Sequence, residues 1–454
     1  MDKDVRIREL EEENARLRKQ VAQLEAKVAS LSKNSSNSSK PPSSDITKPP
    51  ASGGGGGRKK SFKKRKPESR RIDPAPFPQD RVDESFDYFF TAPGELVPLK
   101  EYRSFQQVEL ISNPFRITEH RCRVYLDPVT GEKVLATLPP ELRRGGLLGP
   151  KLTAWIGYLK SVSRCSYTQI GAMLDEIFGL PISRGLLVKA VRKMGDATAP
   201  IYDELCARLP NEPVLNIDET GHKDRGTLMW TWCFRSPNFT VYRISSSRGS
   251  QVLTEMLGES FGGVIGCDCF SAYLKFAESS NVELQLCLAH LIRDARFLTT
   301  LAAPWTRRFG EKVLALFTRV FRLYHRRNEL DARVYRRRMD TLRQELVTKA
   351  KAVQCGGEAA TLAKRIVAQA SRWFTFMKHP QVEPTNNLAE RALRPIVIAR
   401  KLTQGTRGPK GQRQAERLWS VIETARQRNV PVFAFLIRAL EAHLKKAAHP
   451  VLVI

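Results

Sequence analysis

The strongest constraint on the fold is a pair of short apolar runs that each close on an acid. Val214-Leu215-Asn216-Ile217 runs into Asp218-Glu219-Thr220, and Gly263-Val264-Ile265-Gly266-Cys267 runs into Asp268. Runs of this length read as buried strands, and a carboxylate just past such a strand stands where an open α/β sheet places its chemistry. Glu219 turns to the opposite face if the strand continues, so it is left out of the site. A third acid, Glu390, lies in Pro384-Thr385-Asn386-Asn387-Leu388-Ala389-Glu390-Arg391, which reads as the first turns of a helix. Asp218, Asp268 and Glu390 together would make an oxygen-rich pocket for a pair of hard divalent cations. Singly, each has an ordinary alternative: an Asp closes a turn, and Glu390 serves as the N3 partner of a capping box whose cap is Asn387.

The elements around these acids fix the fold class. Leu228 to Phe234 and Phe239 to Ile244 read as two more strands after the Asp218 strand, followed by a helix near Gln251 to Leu257 and then the Asp268 strand. That order matches an α/β, ribonuclease H-like core. An Arg-rich helical segment fills roughly Trp305 to Lys378, with Phe309, Val313, Leu316, Val320 and Leu323 tracing one apolar face. The core is therefore expected over 211–304, a helical insertion over 305–380, and the return to the core over 381–454 with the Glu390 helix and C-terminal helices. Asn387, Glu390, Arg391 and Arg394 share one helical face, and Pro395 is read as its stop.

Upstream of residue 211 the sequence changes character several times. Ile7, Leu10, Asn14, Leu17, Val21, Leu24, Val28 and Leu31 fill a and d positions of a heptad, so 1–32 reads as a coiled coil. Asn14 at an a position favours a parallel homodimer, and Glu13 at g meets Arg18 at e of the partner. Residues 33–80 turn to Ser, Pro, Gly and basic residues, which build no core and read as a disordered basic linker. Within it Lys59, Lys60, Lys63, Lys64 and Arg65 form a cationic arm suited to phosphate contacts of low sequence specificity. Residues 81–146 carry β-like runs such as Gln106 to Ile111 and Arg121 to Tyr125, hence a small β-rich module.

Three helices follow over 147–210, Lys151 to Arg164, Tyr167 to Phe178 entered through Ser166 with Gln169 three residues on, and Arg184 to Met194 entered through Ser183. The short Gly179-Leu180-Pro181-Ile182 connection resembles a helix-turn-helix, whose third helix would turn Arg184, Lys189, Arg192 and Lys193 toward a DNA groove. A purely structural helical linker is the plainer alternative.

Charge narrows the partners. The chain has 454 residues, and its 75 Lys and Arg against 47 Asp and Glu give a net charge of +28, which calls for a polyanion. Arg391, Arg394, Arg400, Lys401, Arg407, Lys410, Arg413 and Arg417 concentrate that charge near Glu390, around a loop whose Gly405, Gly408 and Gly411 would let a nucleic-acid backbone come close. The eight Cys are scattered singly, which fits a reducing cytosol. No apolar run approaches about 20 residues, so the chain is expected neither secreted nor membrane-spanning. Cys267, Cys269, Cys287 and His290 offer zinc-like residue types, but Cys-x-Cys within a strand is unlike the Cys-x₂-Cys knuckle turn, and a zinc site is not expected from them.

Several segments are long enough to carry a family resemblance: Asn34 to Asp45, Asn216 to Lys223, Gly266 to Tyr273, Cys287-Leu288-Ala289-His290 and Pro384 to Glu390. Together they resemble transposases of the insertion sequence 66 family. The resemblance implies a bacterial DNA transposase of the Asp-Asp-Glu type, with Asp218, Asp268 and Glu390 as catalytic acids and metal ligands. It implies Mg²⁺ as the metal, with Mn²⁺ as its substitute, DNA as partner at element ends and target, and location at the nucleoid. Helper proteins encoded by the same element are further partners, and His290, Arg293 and Asn387 are candidates for supporting the site. One departure stands out: many relatives carry paired Cys in the N-terminal module, whereas 81–146 holds only Cys122 and His120, so this module is expected to fold without metal. Two rival functions remain, a ribonuclease H-like nuclease or resolvase that cuts without joining, and a DNA-binding regulator with an inactive pocket.

Overall fold

The structure is a computed structural model that describes residues 114–452 apart from 127, 130 and 355, a short piece over 78–85 apart from 84, and parts of a helix between 11 and 28. The cationic arm and the Gln106 to Ile111 run lie outside the described residues. Two compact units divide the chain, one of residues 52–121 and the other of the remainder. The described part of the smaller unit carries no assigned element apart from a 3₁₀ turn, Gln79–Arg81. The described helical residues before Ala51 keep Leu17, Val21, Leu24 and Val28 exposed.

In the larger unit a two-stranded hairpin, β1 (Val124–Leu126) and β2 (Lys133–Leu135), precedes the helices. These are α1 (Pro140–Gly145), α2 (Pro150–Ser161), α3 (Tyr167–Ala172), α4 (Arg184–Ala197) and α5 (Ala199–Arg208). The capping box expected at α3 is present in both directions: Gln169 N donates to Ser166 Oγ at 3.1 Å, and Ser166 N donates to Gln169 Oε1 at 2.8 Å. Ser183 caps α4 by accepting from Leu186 N. Of the four cations expected on the groove-facing side of α4, Arg184, Lys189 and Arg192 are exposed. Lys193 is not free for a groove, since its Nζ donates to the carbonyls of Arg144 and Gly145 and closes the end of α1.

The centre is a mixed five-stranded sheet in the order β5-β4-β3-β6-β7. β3 (Val214–Asp224), β4 (Thr227–Arg235) and β5 (Thr240–Ser245) form an antiparallel meander, and β6 (Val264–Cys267) and β7 (Glu283–Leu286) add parallel to β3. The Asp218 run does not end at its acids. β3 continues to Asp224 because Arg225 and Gly226, both with positive φ, make the tight hairpin turn that lets β4 pair along it.

The two faces of this sheet are covered differently. One carries α6 (Gln251–Leu257), α7 (Ser271–Ser279) and α8 (Leu288–Leu298), around Trp232, Phe234, Tyr273 and Leu291. The insertion helices α9 (Pro304–His325), α10 (Ala332–Lys351) and α11 (Gly357–Ala368) continue that same core through Phe309, Val313, Leu316, Val320, Met339 and Leu362. The expected apolar face of α9 is buried, except that Leu323 at its end is only partly so. The other face carries α12 (Asn387–Thr403), whose Ala392, Leu393 and Ile396 pack on Cys233 and Tyr242. Pro395 does not stop this helix; it lies inside it, and the chain stays helical to Thr403. Proline removes one amide donor but fits a continuing turn where neighbours hold the backbone, and Tyr242 OH donates to Ala392 O at 2.6 Å beside it.

Helix α13 (Pro409–Gln427) closes the β5 edge by a matched repeat, and α14 (Val432–Lys445) packs behind it through Phe435 and Ala439. Thr240 N, Tyr242 N and Ile244 N donate in turn to Thr424 Oγ1, Ser420 Oγ and Glu416 Oε1. Four residues of helix rise about 6 Å and two residues of strand about 6.6 Å, so one side of a helix can satisfy successive outward amides of an edge strand. A strand edge otherwise open to pairing is thereby covered.

Candidate active site

Asp218 and Asp268 meet because of register. Val214 pairs with Val264 and Asn216 with Gly266 on adjacent parallel strands, and two steps further along each chain stand the two acids. Gly266 is required at this crossing: a Cβ there would lie 2.6 Å from Asn216 Nδ2. Asp218 accepts the amide of Glu219 at 3.0 Å, and Asp268 accepts that of Phe270 at 3.0 Å, which fixes both carboxylates. As whole residues both are of intermediate exposure. Burial, followed by the charges of Glu219, Asp268 and Glu390, raises the Asp218 carboxyl well above the usual range. Burial and then Glu219 push Asp268 up to about 7.

Glu219 faces the other side of the sheet from Asp218, as strand alternation requires. It is buried, accepts from Arg248 at 2.7 and 2.9 Å, and accepts from Tyr273 OH. Arg248 in turn lies between the Trp230 and Phe270 rings, 4.5 and 4.0 Å from their centres. With its oxygens taken, Glu219 is not an open ligand.

Glu390 sits in the first turn of α12, and the residue that aims this turn is Asn386, not the Asn387 singled out from the sequence. Asn387 is exposed, and no side-chain cap bond forms at the start of the helix, so the capping-box alternative for Glu390 fails. Asn386 is buried: its Nδ2 donates to Ile217 O at 2.7 Å and its Oδ1 accepts from Asn216 Nδ2 at 2.9 Å. Its amide donates to Cys287 Sγ at 3.1 Å, and Leu288 N donates to Pro384 O at 2.9 Å. The starts of α8 and α12 are thus pinned together beside the Asp218 strand. Glu390 Oε1 accepts from Arg293 Nη2 at 3.2 Å and lies 3.7 Å from His290 Nδ1. His290 and Arg293, expected as supports, therefore both face Glu390. Burial, then the charge of Arg293, holds the His290 imidazole down to about 3, so it is neutral.

The basic residues divide into two groups. Arg391, Arg394, Lys401, Arg407 and Lys410 are exposed. Arg400 is half-buried, donates weakly to Thr220 Oγ1 at 3.4 Å, and leaves its buried Nη2 without a protein partner. Arg413 and Arg417 are engaged with Glu416 and Asp196. The glycine loop lies against the protein's own β3: a Cβ at Gly405 would stand 1.9 Å from Lys223 O, and Gly408 N donates to Asp224 Oδ1 at 2.7 Å. Thr406 donates to Asp224 Oδ1 at 2.7 Å, which leaves its oxygen to accept from His222 Nε2 at 3.0 Å. His222 Nδ1 is then a buried bare lone pair, and burial, followed by the Arg400 charge, lowers this imidazole to about 4.

The site is thus a mixed sheet with two acids at matched positions on neighbouring parallel strands, and a third acid on a helix whose charge acts on both. The chain matches the family described as Transposase IS66 family over residues 145–414, and it belongs to that family. Residues 1–74 match a family of unknown function (DUF6444). Among curated proteins it is similar to two from Sinorhizobium fredii (strain NBRC 101917 / NGR234), the uncharacterized proteins y4qI and y4jD. Both are 24% identical, over 73% and 67% of this chain. The chain spans 66% and 65% of their own lengths. Among the described residues no helix is long and apolar enough to cross a membrane.

Proposed function

We propose that this chain is a DNA transposase of the Asp-Asp-Glu type with a ribonuclease H-like core, cutting the ends of a bacterial insertion sequence and joining the 3′ ends to target DNA. The observation that carries this reading is the matched register of Asp218 and Asp268 beside a Glu390 helix tied to the same strand through Asn386. The strand order, a three-stranded antiparallel meander extended by two parallel strands, supports the ribonuclease H-like assignment.

The acids fit a hard divalent cation, Mg²⁺ or Mn²⁺. Their donors are oxygen, and the raised affinity of Asp218 and Asp268 for protons reflects negative charge packed where water cannot relieve it, which a cation would relieve equally. Asp218, Asp268 and Glu390 would hold it. When bound, such ions supply Lewis acidity on both sides of a phosphodiester under in-line attack. The protein's own residues do the rest. Arg293 orients Glu390, Arg248 and Tyr273 hold Glu219 out of the ligand set, and Arg400 adds positive charge beside Thr220 on the Asp218 strand. The exposed Arg391, Arg394, Lys401, Arg407 and Lys410 supply phosphate contacts along the flanking duplex, with Arg184 and Lys189 of α4 as the end-reading pair. The exposed Leu17, Val21, Leu24 and Val28 support pairing of two chains through the N-terminal heptads.

A strand-transfer assay with pre-cut element ends tests the whole reading. Mg²⁺-dependent joining to a target duplex is expected. Cutting without joining would convert the reading to a nuclease, and sequence-specific binding without either would convert it to a regulator.

A further inference from the structure

We propose that Cys287, His290 and Glu390 form a second cation site, selective for thiophilic divalent ions of the Zn²⁺ class, which shares Glu390 with the acidic pocket. Among the described residues this is the one group of three metal-capable side chains whose ligand atoms all lie within 4.8 Å of one another. It is not the set that residue types alone would pick, since Cys267 and Cys269 lie outside it.

The placement follows from two helix starts. Cys287 directly follows β7 and is the N-cap position of α8, and His290, three residues on, falls on the same side of the first turn. Glu390 arrives from the first turn of α12, held by the Asn386 amide on Cys287 Sγ. His290 Nδ1, one of the three ligand atoms available, is buried without a hydrogen-bond partner and faces Glu390 Oε1 at 3.7 Å. Leaving such an acceptor buried and unpaired is unfavourable unless something else engages it.

The donor set is one sulfur, one nitrogen and one oxygen, as in catalytic zinc sites that keep a fourth position open. The sulfur is prepared for a metal. The Asn386 backbone amide donates to it at 3.1 Å, a contact that favours a thiolate there. Binding a Zn²⁺-class ion therefore forms the metal–sulfur bond and releases the Cys287 proton to solvent. Zinc–ligand distances of about 2.0–2.3 Å ask the three side chains to close up slightly, and Arg293, partly exposed, has to yield its contact on Glu390. Mg²⁺ has no use for sulfur, so the site discriminates against it. Resting on the Asp-Asp-Glu reading, a soft ion here withdraws Glu390 from Asp218 and Asp268 and inhibits the Mg²⁺ reaction.

The test is titration of the chelator-treated full chain with Co²⁺. One equivalent is expected to bind with near-ultraviolet thiolate-to-cobalt absorption and to be displaced by Zn²⁺. Cys287→Ser should abolish that absorption, and His290→Gln should weaken Co²⁺ binding at least tenfold, while Cys206→Ser leaves both intact. Absence of the absorption in the wild-type chain, or its survival in Cys287→Ser, would overturn the site; the wild-type result stands even if a variant fails to fold. In a second arm, DNA cleavage in Mg²⁺ is compared with and without one equivalent of Zn²⁺, each protein normalised to its own zinc-free rate. Inhibition of wild type but not of Cys287→Ser is expected. A cobalt site without zinc inhibition would overturn the sharing of Glu390, and a cobalt site in a chain that never cuts DNA would overturn the catalytic reading while upholding the metal site.

Discussion

Asn386 and Asn216, 170 residues apart in sequence, share a buried amide–amide hydrogen bond of 2.9 Å that sets the Glu390 helix against the Asp218 strand. The same Asn386 side chain takes Ile217 O at 2.7 Å, so both ends of one amide are spent on the two residues that lead into Asp218. Neither hydrogen bond touches a substrate, yet both decide where Glu390 stands.

Asn386→Ala should therefore cost more activity than stability. Losing the pair leaves Asn216 Nδ2 and Ile217 O unpaired, worth about 1–3 kcal/mol each, and a displacement of about 1 Å at a reacting centre costs on the order of 100-fold in rate. Asn216→Ala should show the same direction, and a double-mutant cycle measured by denaturant unfolding should give a coupling of about 1 kcal/mol or more. Strictly additive effects in both stability and cleavage rate would mean that the helix is held elsewhere.

Helix α13 makes a testable claim about the sheet edge. Ser420→Ala and Thr424→Val strip the acceptors from Tyr242 N and Thr240 N, which are buried. Each should lower stability by about 1–3 kcal/mol, and the pair should raise aggregation by reopening the strand edge. Thermal unfolding followed by light scattering reads both effects; an unchanged melting temperature in the double variant would contradict them.

His222 gives a pH dependence whose sign is fixed. Its folded value, about 4, lies below the ordinary 6.5. The unfolded chain takes up its proton as pH falls through about 6.5, the folded chain only near 4. The contribution is thus fully present above 6.5 and is lost as pH falls toward 4, with a total of about 3 kcal/mol. His222→Gln keeps a donor for Thr406 and removes the titration. Its stability should fall less between pH 6.5 and 4 than that of wild type, and parallel curves would remove His222 as a contributor.

What the sequence reveals here follows the range of each interaction. Asp218 and Asp268 stand out because a strand marks itself by a local apolar run, and the α9 face stands out because helical period is local too. Asn386 has no such mark: it and Asn387 are chemically identical neighbours, and only the fold decides which turns inward. Gly405 and Gly408 signal close backbone approach correctly, but not that the approaching backbone is the protein's own β3. Ser420 and Thr424 look like solvent-facing polar residues until an edge strand is laid against them. Lys193 reads as one more cation on α4, while the α1 carbonyls that it caps lie almost 50 residues upstream.

The acids carry the sharpest prediction. Asp218→Asn, Asp268→Asn and Glu390→Gln preserve size and remove the charge that would hold divalent cations. Each is expected to lower cleavage and joining by several orders of magnitude while DNA affinity is retained. Removing carboxylate charge from a crowded pocket relieves the repulsion that raises Asp218 and Asp268, so these variants should melt no lower than wild type, and the two Asp variants slightly higher. Glu219→Gln behaves differently: Arg248, enclosed between two rings, loses its buried partner, and breaking such a pair costs about 3–5 kcal/mol. The four variants are thus sorted by two measurements, a melting curve and a cleavage rate. A Glu390→Gln chain that still cuts and joins DNA at near wild-type rate would show that the third carboxylate lies elsewhere, because Glu390 has no cap to fall back on and no other role that predicts full turnover.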